Sequence, residues 1–377
     1  MSGIQRRRIL VAGDDYYASL AAVRGLRSGG YEPWFATHST LTFAQRSRAT
    51  AGTFTLPRPS EAGNEAYVEG LAAAARSCAA DVVLPGNELA IKAVAGCEDR
   101  FPAETIVASN SPETVARATD KALLRELAEE AGLAAPPTLD IEDVTFPAVV
   151  KSAMSAFVNG GGTQIAPAAR VVRDREELRT ALAGQSGWLV QPYIEGDLVA
   201  VSGVAWRGEV VCSCHQIARR IYPRPVGVSA FAETVALDPQ LDAALARIVR
   251  RLGWSGIFEF QLIRSAARAH VIDLNPRPYG SLALAIAAGL NLPSIWVDLL
   301  LGRKPRIGAC RVGVRYRAEV RELRALAAAL SRGRIAAALE IARPRRRTVH
   351  SIFSLRDPAP ILAVFQRASG RFVKAKA

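Results

Sequence analysis

The stretch that decides the fold is Val271-Ile272-Asp273-Leu274-Asn275-Pro276-Arg277-Pro278-Tyr279-Gly280-Ser281. An apolar strand runs into an acid, an amide and an arginine at alternate positions, then meets a Pro/Gly stop. In extended backbone, residues two apart point to the same side. Asp273, Asn275 and Arg277 are therefore predicted to project together from one strand end. A carboxylate and an amide oxygen suit a hard cation such as Mg²⁺. A guanidinium beside them suits a phosphate or carboxylate oxygen. This is equipment for handling a nucleoside triphosphate.

The strand upstream, Gly256-Ile257-Phe258-Glu259-Phe260-Gln261-Leu262-Ile263, carries an acid between apolar neighbours. Alternation places Glu259 on the face of Ile257, opposite Phe258 and Phe260. A hairpin through His270 then returns to the opening strand. Glu259 and Asp273, with the Asn275 amide, can so converge on one or two Mg²⁺ ions.

Arginine is abundant, yet there are six lysines: 92, 121, 151, 304, 374 and 376. Lys151 ends the apolar strand Phe146-Pro147-Ala148-Val149-Val150-Lys151. Behind it comes Asn159-Gly160-Gly161-Gly162-Thr163-Gln164, a glycine run whose backbone amides can fold over phosphates. Its spacing is not that of a Walker-type loop. Lys121 lies early in an amphipathic helix over Ala118–Gly132, stopped by Gly132 and Pro136-Pro137. A lone lysine on a helix is ordinarily solvated. The strand Trp188–Asp197 breaks at Pro192 and Gly196, which leaves backbone N–H and C=O groups able to bind the edge of an adenine. Arg207-Gly208 reads as a hairpin turn between antiparallel strands. Ile217–Gly227, with Arg220, reads as a basic loop or strand edge.

The front of the chain alternates strands (8–12, 33–37, 82–85, 105–108) with helical patterns, which argues an open parallel α/β sheet. Its first turn, Gly13-Asp14-Asp15, is no dinucleotide fingerprint, because two aspartates would repel a pyrophosphate. Asp14, Asp15 and Gly86-Asn87-Glu88 sit at strand ends, as substrate contacts or as ordinary turn and cap residues. Ser111-Pro112 opens a helix.

With 377 residues, the chain is expected to form two or three domains. No apolar run approaches the ~20 residues of a membrane span, and the short N-terminal apolar run reads as a first strand in a cytoplasmic protein. Five scattered cysteines are no disulfide framework. Cys212 and Cys214 read as small apolar residues on a strand. The net charge of +13 is confined to one place: residues 301–377 carry 19 Arg/Lys against 4 Asp/Glu. That segment is either a solvated face or a contact for an acidic partner or anionic surface. No nucleic-acid motif accompanies it.

Taken in order, these pieces resemble the ATP-grasp superfamily, of the carboxylate–amine ligase type, over about residues 8–300. The resemblance rests on the leading α/β unit, the Asp120-Lys121 helix, the Val149-Val150-Lys151 strand and the Gly160–Thr163 loop. It continues through the Gln191–Gly196 hinge, Glu259 and the Asp273-x-Asn275-Pro276-Arg277 strand. It implies a pre-ATP-grasp α/β domain (1–112), followed by a two-lobed α+β ATP-grasp domain. The small lobe (113–190) would hold the lysines and glycine loop, and the large lobe (191–302) the metal site. A basic C-terminal extension (303–377) would follow. ATP would lie between the lobes. Lys121 and Lys151 would contact phosphates, and Gly160, Gly161, Gly162 and Thr163 would close over them. Gln191, Tyr193 and Ile194 would hold adenine; Asp197 or another group would contact the ribose, or that contact is missing. Glu259, Asp273 and Asn275 would ligate Mg²⁺, or Mn²⁺ in its place. Arg277 would stabilise the transferred phosphoryl group, with Arg220 as a further contact for phosphate or substrate carboxylate. Leu198, Gln191-Pro192 and Asp273 depart from common family patterns, where acids, or a Glu in place of Asp273, are usual.

The implied activity is ATP-dependent joining of a carboxylate to an amine through an acyl phosphate, in a monomer or a homodimer. The alternatives are kinase-type phosphoryl transfer at the same site, and a non-catalytic nucleotide-binding protein with an acidic partner.

Overall fold

In the computed structural model the described residues are 6–364, apart from 15–16, 40–41, 59–62, 153–156, 159–163, 166–168 and 184–186. The first sheet contains β1 (Arg8–Ala12), β2 (Glu32–Thr37), β3 (Thr53–Thr55), β4 (Val82–Pro85) and β5 (Ile106–Val107). All pairs are parallel, in the order β3-β2-β1-β4-β5. The central strands are continuous apolar runs because both faces are covered. Ile9, Val11, Phe35 and Leu84 face one core. Leu10, Ala12, Ala36 and Val83 face the other. Helix α1 (Tyr17–Ser28) covers the first face; α2 (Glu65–Cys78) and α3 (Glu88–Val94) cover the second.

Two short helices follow, α4 (Pro112–Thr119) and α5 (Lys121–Glu130). The helix predicted to begin at Ala118 begins instead at Lys121, and Ala118 and Thr119 end the helix opened by Ser111-Pro112. The Asp120 side chain accepts from the backbone N–H of Ala122 and Leu123, which makes it the N-cap of a new helix. This start places Lys121 at the first helical position.

A three-stranded antiparallel sheet comes next, in the order β10-β6-β9: β6 (Ala148–Ser152), β9 (Arg170–Val172) and β10 (Trp188–Pro192). The hairpin β7 (Phe157–Val158) and β8 (Gln164–Ile165) leads from β6, and α6 (Arg175–Leu182) packs on β9.

The largest sheet holds β11 (Asp197–Trp206), β12 (Glu209–Tyr222), β13 (Val228–Thr234), β14 (Gly256–Arg264), β15 (Ala269–Asn275), β16 (Arg315–Arg317) and β17 (Thr348–His350). Their order is β15-β14-β11-β12-β13-β16-β17, antiparallel except for the last pair. The β11–β12 turn has φ of 52° at Arg207 and 81° at Gly208, the paired left-handed geometry of a tight hairpin. One face packs Phe258, Phe260, Leu262 and Leu274 against α5 and α7 (Pro239–Leu252). The other face packs Val204, Cys214, Ala232 and Ile257 against α8 (Leu282–Ala288) and α9 (Leu292–Leu300). Glu259 is therefore on the face of Ile257, as alternation predicts.

The chain beyond residue 303 is woven into this sheet through β16 and β17. Between them run α10 (Glu319–Ser331) and α11 (Ile335–Ala342). The segment's four acids all anchor structure. Glu319 accepts the N–H groups of Ile352 and Phe353 at 3.0 and 2.6 Å. Glu322 and Glu340 pair with arginines. Asp357 accepts from Arg24, from the Ser47 hydroxyl and from the Arg48 N–H, at 2.6–2.9 Å. The surplus arginines are what remains after these pairings. Among the described residues no single helix is long and apolar enough to cross a membrane.

Candidate active site

A cavity of about 540 Å³ opens between the three-stranded sheet and the seven-stranded sheet. Lys121, Lys151, Gln191, Tyr193, Ile194, Glu259, Asp273, Asn275 and Arg277 all line it. Residues spread over more than 150 positions of sequence thus face one space.

The side formed by β14 and β15 is set by register. Glu259 lies directly across from Asn275, and Gln261 across from Asp273. The register then slips: Leu262 pairs with Val271, so Ile272 is an extra residue, a β-bulge. Without it Val271 and Leu274, three apart, would face opposite sides. With it both pack into the helix-side core, and Ile272 joins Asp273 and Asn275 on the cavity wall. The Lys151 ammonium donates to the Ile272 carbonyl at 2.9 Å, an acceptor the bulge has turned away from the ladder.

Asn275 donates from Nδ2 to Glu259 Oε2 at 3.0 Å, and accepts at Oδ1 from Arg277 Nη2 at 2.9 Å. Arg277 lies beyond the strand end at Asn275. It reaches its place by this bond and by donating to the Pro278 carbonyl, and not by strand alternation as predicted. The turn that follows is pinned from three strands. The Tyr279 hydroxyl donates to Ser202 on β11 at 2.7 Å, Gln216 on β12 donates to Ser281 at 2.8 Å, and Tyr316 on β16 donates to the Gly280 carbonyl at 2.8 Å. Such bracing holds the turn rigid.

Burial pushes the Glu259 carboxyl up to about 7, although donors on Gln261 and Asn275 and the charge of Arg277 pull the other way. With Asp273 and the Asn275 amide, Glu259 makes an all-oxygen donor set, which fits Mg²⁺. Burial also lowers the Lys151 ammonium to about 8, with Asp273 opposing and Lys121 assisting. Lys121 donates to the Ser152 carbonyl at 2.9 Å, so it is not the solvated lysine that its helical context predicts.

On the hinge, the Tyr193 N–H is used by the Pro147 carbonyl at 3.1 Å, and the Gln191 side chain donates to the Pro136 carbonyl. Among the described residues, the Ile194 backbone N–H makes no hydrogen bond. Asp197 is exposed at the start of β11 and does not line the cavity; Leu198 does. Gly160, Gly161, Gly162 and Thr163 lie outside the described residues, as does Asp15.

Arg220 is placed elsewhere. Its Nη1 binds both carboxylate oxygens of Glu322 at 2.7 Å, and its guanidinium lies 5.7 Å from the Phe231 ring centroid. It is a structural cation holding α10 to the sheet, not a cavity residue. Asp14 likewise accepts from the Asn87 amide, and Asn87 caps α3; these strand-end residues brace one another. Among the cavity residues that the sequence does not single out are Gln261 and Arg321. Gln261, two positions after Glu259, was detectable by alternation. Arg321 had no signal beyond one more arginine in a basic segment.

Cys212 and Cys214 lie on β12, with Cys214 buried in the apolar core. Among the described residues no group of three or more His, Cys, Asp or Glu could hold a metal ion; the cation set proposed here has two carboxylates and one amide.

Residues 185–323 match the family described as ATP-grasp in the biosynthetic pathway with Ter operon. Solved structures of the same fold include L-amino acid ligase from Bacillus licheniformis, at 17% identity and TM-score 0.59, covering 78% of this chain and 74% of that one. Biotin carboxylase from Campylobacter jejuni matches at 15% identity and TM-score 0.58, covering 84% and 75%. N5-carboxyaminoimidazole synthetase from Staphylococcus aureus, complexed with ADP, matches at 14% identity and TM-score 0.58, covering 80% of each chain. No curated protein matches the sequence.

Proposed function

With an ATP-grasp fold overall and an ATP-grasp family match over residues 185–323, we propose that this chain is an ATP-dependent ligase joining a carboxylate to an amine. The observation that carries the reading is one cavity with Lys121 and Lys151 on one wall and Glu259, Asp273, Asn275 and Arg277 on the other. The ligase named among the structural neighbours supports it.

The physical task is to bring two anions together. Lys121 and Lys151 neutralise the phosphates of ATP, and the Ile194 backbone meets the adenine edge. Glu259, Asp273 and Asn275 hold Mg²⁺, which when bound neutralises charge on the reacting phosphates. Arg277 donates to Asn275 Oδ1 and lines the same cavity. The substrate carboxylate attacks the γ-phosphorus, the bond to ADP breaks, and an acyl phosphate forms. The amine then attacks the acyl carbon, giving an amide and inorganic phosphate. Arg277 stabilises charge in both steps. Enclosure between the sheets keeps water from the acyl phosphate.

The test is Mg²⁺-dependent ADP release measured across pools of acids and amines. Release that requires both an acid and an amine, with amide product, is the expected result. ADP release with a phosphorylated product and no amine dependence replaces the ligase with a kinase. Asn275→Ala, which also removes hydrogen bonds to Glu259 and Arg277, should lower turnover by at least ~100-fold while unfolding stays cooperative; retained turnover refutes the site.

A further inference from the structure

We infer that Cys214 and Cys310 form a reversible disulfide site, which ties the chain after α9 to the seven-stranded sheet when a small-molecule disulfide oxidises it. The inference goes beyond the ligase reading and does not depend on it, since neither thiol lines the cavity.

The two cysteines are 96 positions apart, and their Sγ atoms lie 3.2 Å from each other. A disulfide spans about 2.05 Å, so a closure of roughly 1.2 Å joins them. Cys214 is buried on β12, in the core between the sheet and helices α8 and α9. Cys310 is partly buried, on the stretch between α9 and β16. That stretch is clamped on both sides of Cys310. The Arg311 N–H donates to the Ala288 carbonyl at 2.9 Å, and the Arg311 carbonyl accepts from the Thr234 hydroxyl at 2.7 Å. The Ala309 carbonyl packs on Gly289, where φ is 113° and a Cβ would stand 3.1 Å from it. Holding two reactants this close replaces an encounter in solution by a step within one molecule.

The two thiols take different roles. Contact with Cys214 and the charge of Arg311 hold the Cys310 thiol below its ordinary value, against the pull of burial. The same contact and burial hold Cys214 well above its own. The thiolate is the attacking form, so Cys310, the more accessible of the two, attacks the external disulfide. One sulfur of that disulfide bonds to Cys310 and the other leaves as a thiolate. Cys214 then attacks the Cys310 sulfur, gives up its proton to the departing thiolate, and the second small thiol is expelled. Two protein thiols are oxidised and one small disulfide is reduced to two thiols.

Cys212, two residues before Cys214 on the same strand, is the nearby competitor. Burial pushes its thiol up to about 11, although the Val204 backbone bonds it. Among the described residues these three thiols form no metal site. The tie also lies behind the braced turn of the cavity. The Cys214 carbonyl accepts from the Ser202 hydroxyl at 3.4 Å, and Ser202 accepts from Tyr279.

The experiment incubates the folded full chain with glutathione disulfide. Remaining thiols are alkylated and peptides are mapped by mass, before and after dithiothreitol. The expected product is a Cys214–Cys310 cross-link, lighter than the dithiol by two hydrogens and reversed by dithiothreitol. Closing a loop of this length should raise the unfolding temperature by roughly 5 °C. Cys212→Ser should cross-link like wild type. Cys310→Ser should take up no glutathione at Cys214, and Cys214→Ser should stop at a glutathione adduct on Cys310. If Cys214→Ser, with a hydroxyl in an apolar core, fails to fold, wild type and Cys310→Ser still decide. Any of four results overturns the inference: a Cys212–Cys310 cross-link, a lasting glutathione adduct on wild-type Cys310, no reaction at either thiol, or oxidised protein that melts below reduced protein.

Discussion

Replacing Lys151 by methionine should make the ligand-free protein more stable and a poorer ligand for ATP. Burial lowers the folded-state ammonium to about 8 from an ordinary 10.5. The unfolded chain keeps its proton up to 10.5, so the wild type gains stability as pH rises through that window. At pH 7 the buried ammonium costs about 3.4 kcal/mol; at pH 9.5 the remaining cost is about 1.4 kcal/mol. Methionine has a similar length and no charge, but it orphans the Ile272 carbonyl that Lys151 now bonds, a loss of about 1 kcal/mol. The net gain is then about 2 kcal/mol near pH 7 and close to zero at pH 9.5. Thermal unfolding of ligand-free protein at both pH values reads this directly. ADP titration of the same samples should show affinity down by at least ~10-fold, from loss of a charge-assisted contact. A variant that melts below wild type at pH 7, or that gains equally at both pH values, refutes the reasoning. So does undiminished ADP binding. The lysine is thus expected to be kept for function at the expense of stability.

Two further outcomes follow from the anchoring of α10 and of the last described segment. Glu322 is 6% exposed and pairs with both Arg220 and Arg317, so Glu322→Ala should destabilise by about 3 kcal/mol by stranding buried cations. Adding Arg220→Met should recover part of that loss in denaturant titrations, and purely additive effects would contradict the pairing. Asp357→Ala should loosen the contact between Arg24, Ser47 and the chain near residue 357. The measurement is faster amide exchange at Arg48 and Ile352, with Mg²⁺-dependent ADP release kept; unaltered exchange at both would count against the latch.

Much of the fold could be read from apolar patterning. Ile9–Ala12 and Val82–Leu84 are continuous apolar runs because both their faces are buried, and the alternation around Glu259 gave the correct face. What escaped the reading depends on pairing across long separations. The run Val271-Ile272-Asp273-Leu274 looks like an unbroken strand. Only its register against Leu262 and Gln261 reveals the bulge at Ile272. Asp120 was visible as a capping residue type, yet the apolar rhythm on either side hid the break. Arg220 was singled out because it sits in a basic stretch beside a turn. Its partner Glu322 is 102 positions away, and no local pattern announces such a meeting. The same holds for Arg321, which meets Ser229 and Tyr17 among others. β17 is three residues long and exists because β16 offers an edge to it.

The turn Pro276–Ser281 is braced by Ser202, Gln216 and Tyr316, whereas the wall around Arg321 comes from the β12–β13 connection and the first turn of α10. The two ends of the cavity are therefore written in separate stretches of the chain. A change in Ile221–Ser229 reshapes that wall without touching Ser202, Gln216 or Tyr316, which brace the turn. Under selection, a chain so divided can remodel one end of its cavity in few steps while the other end stays fixed.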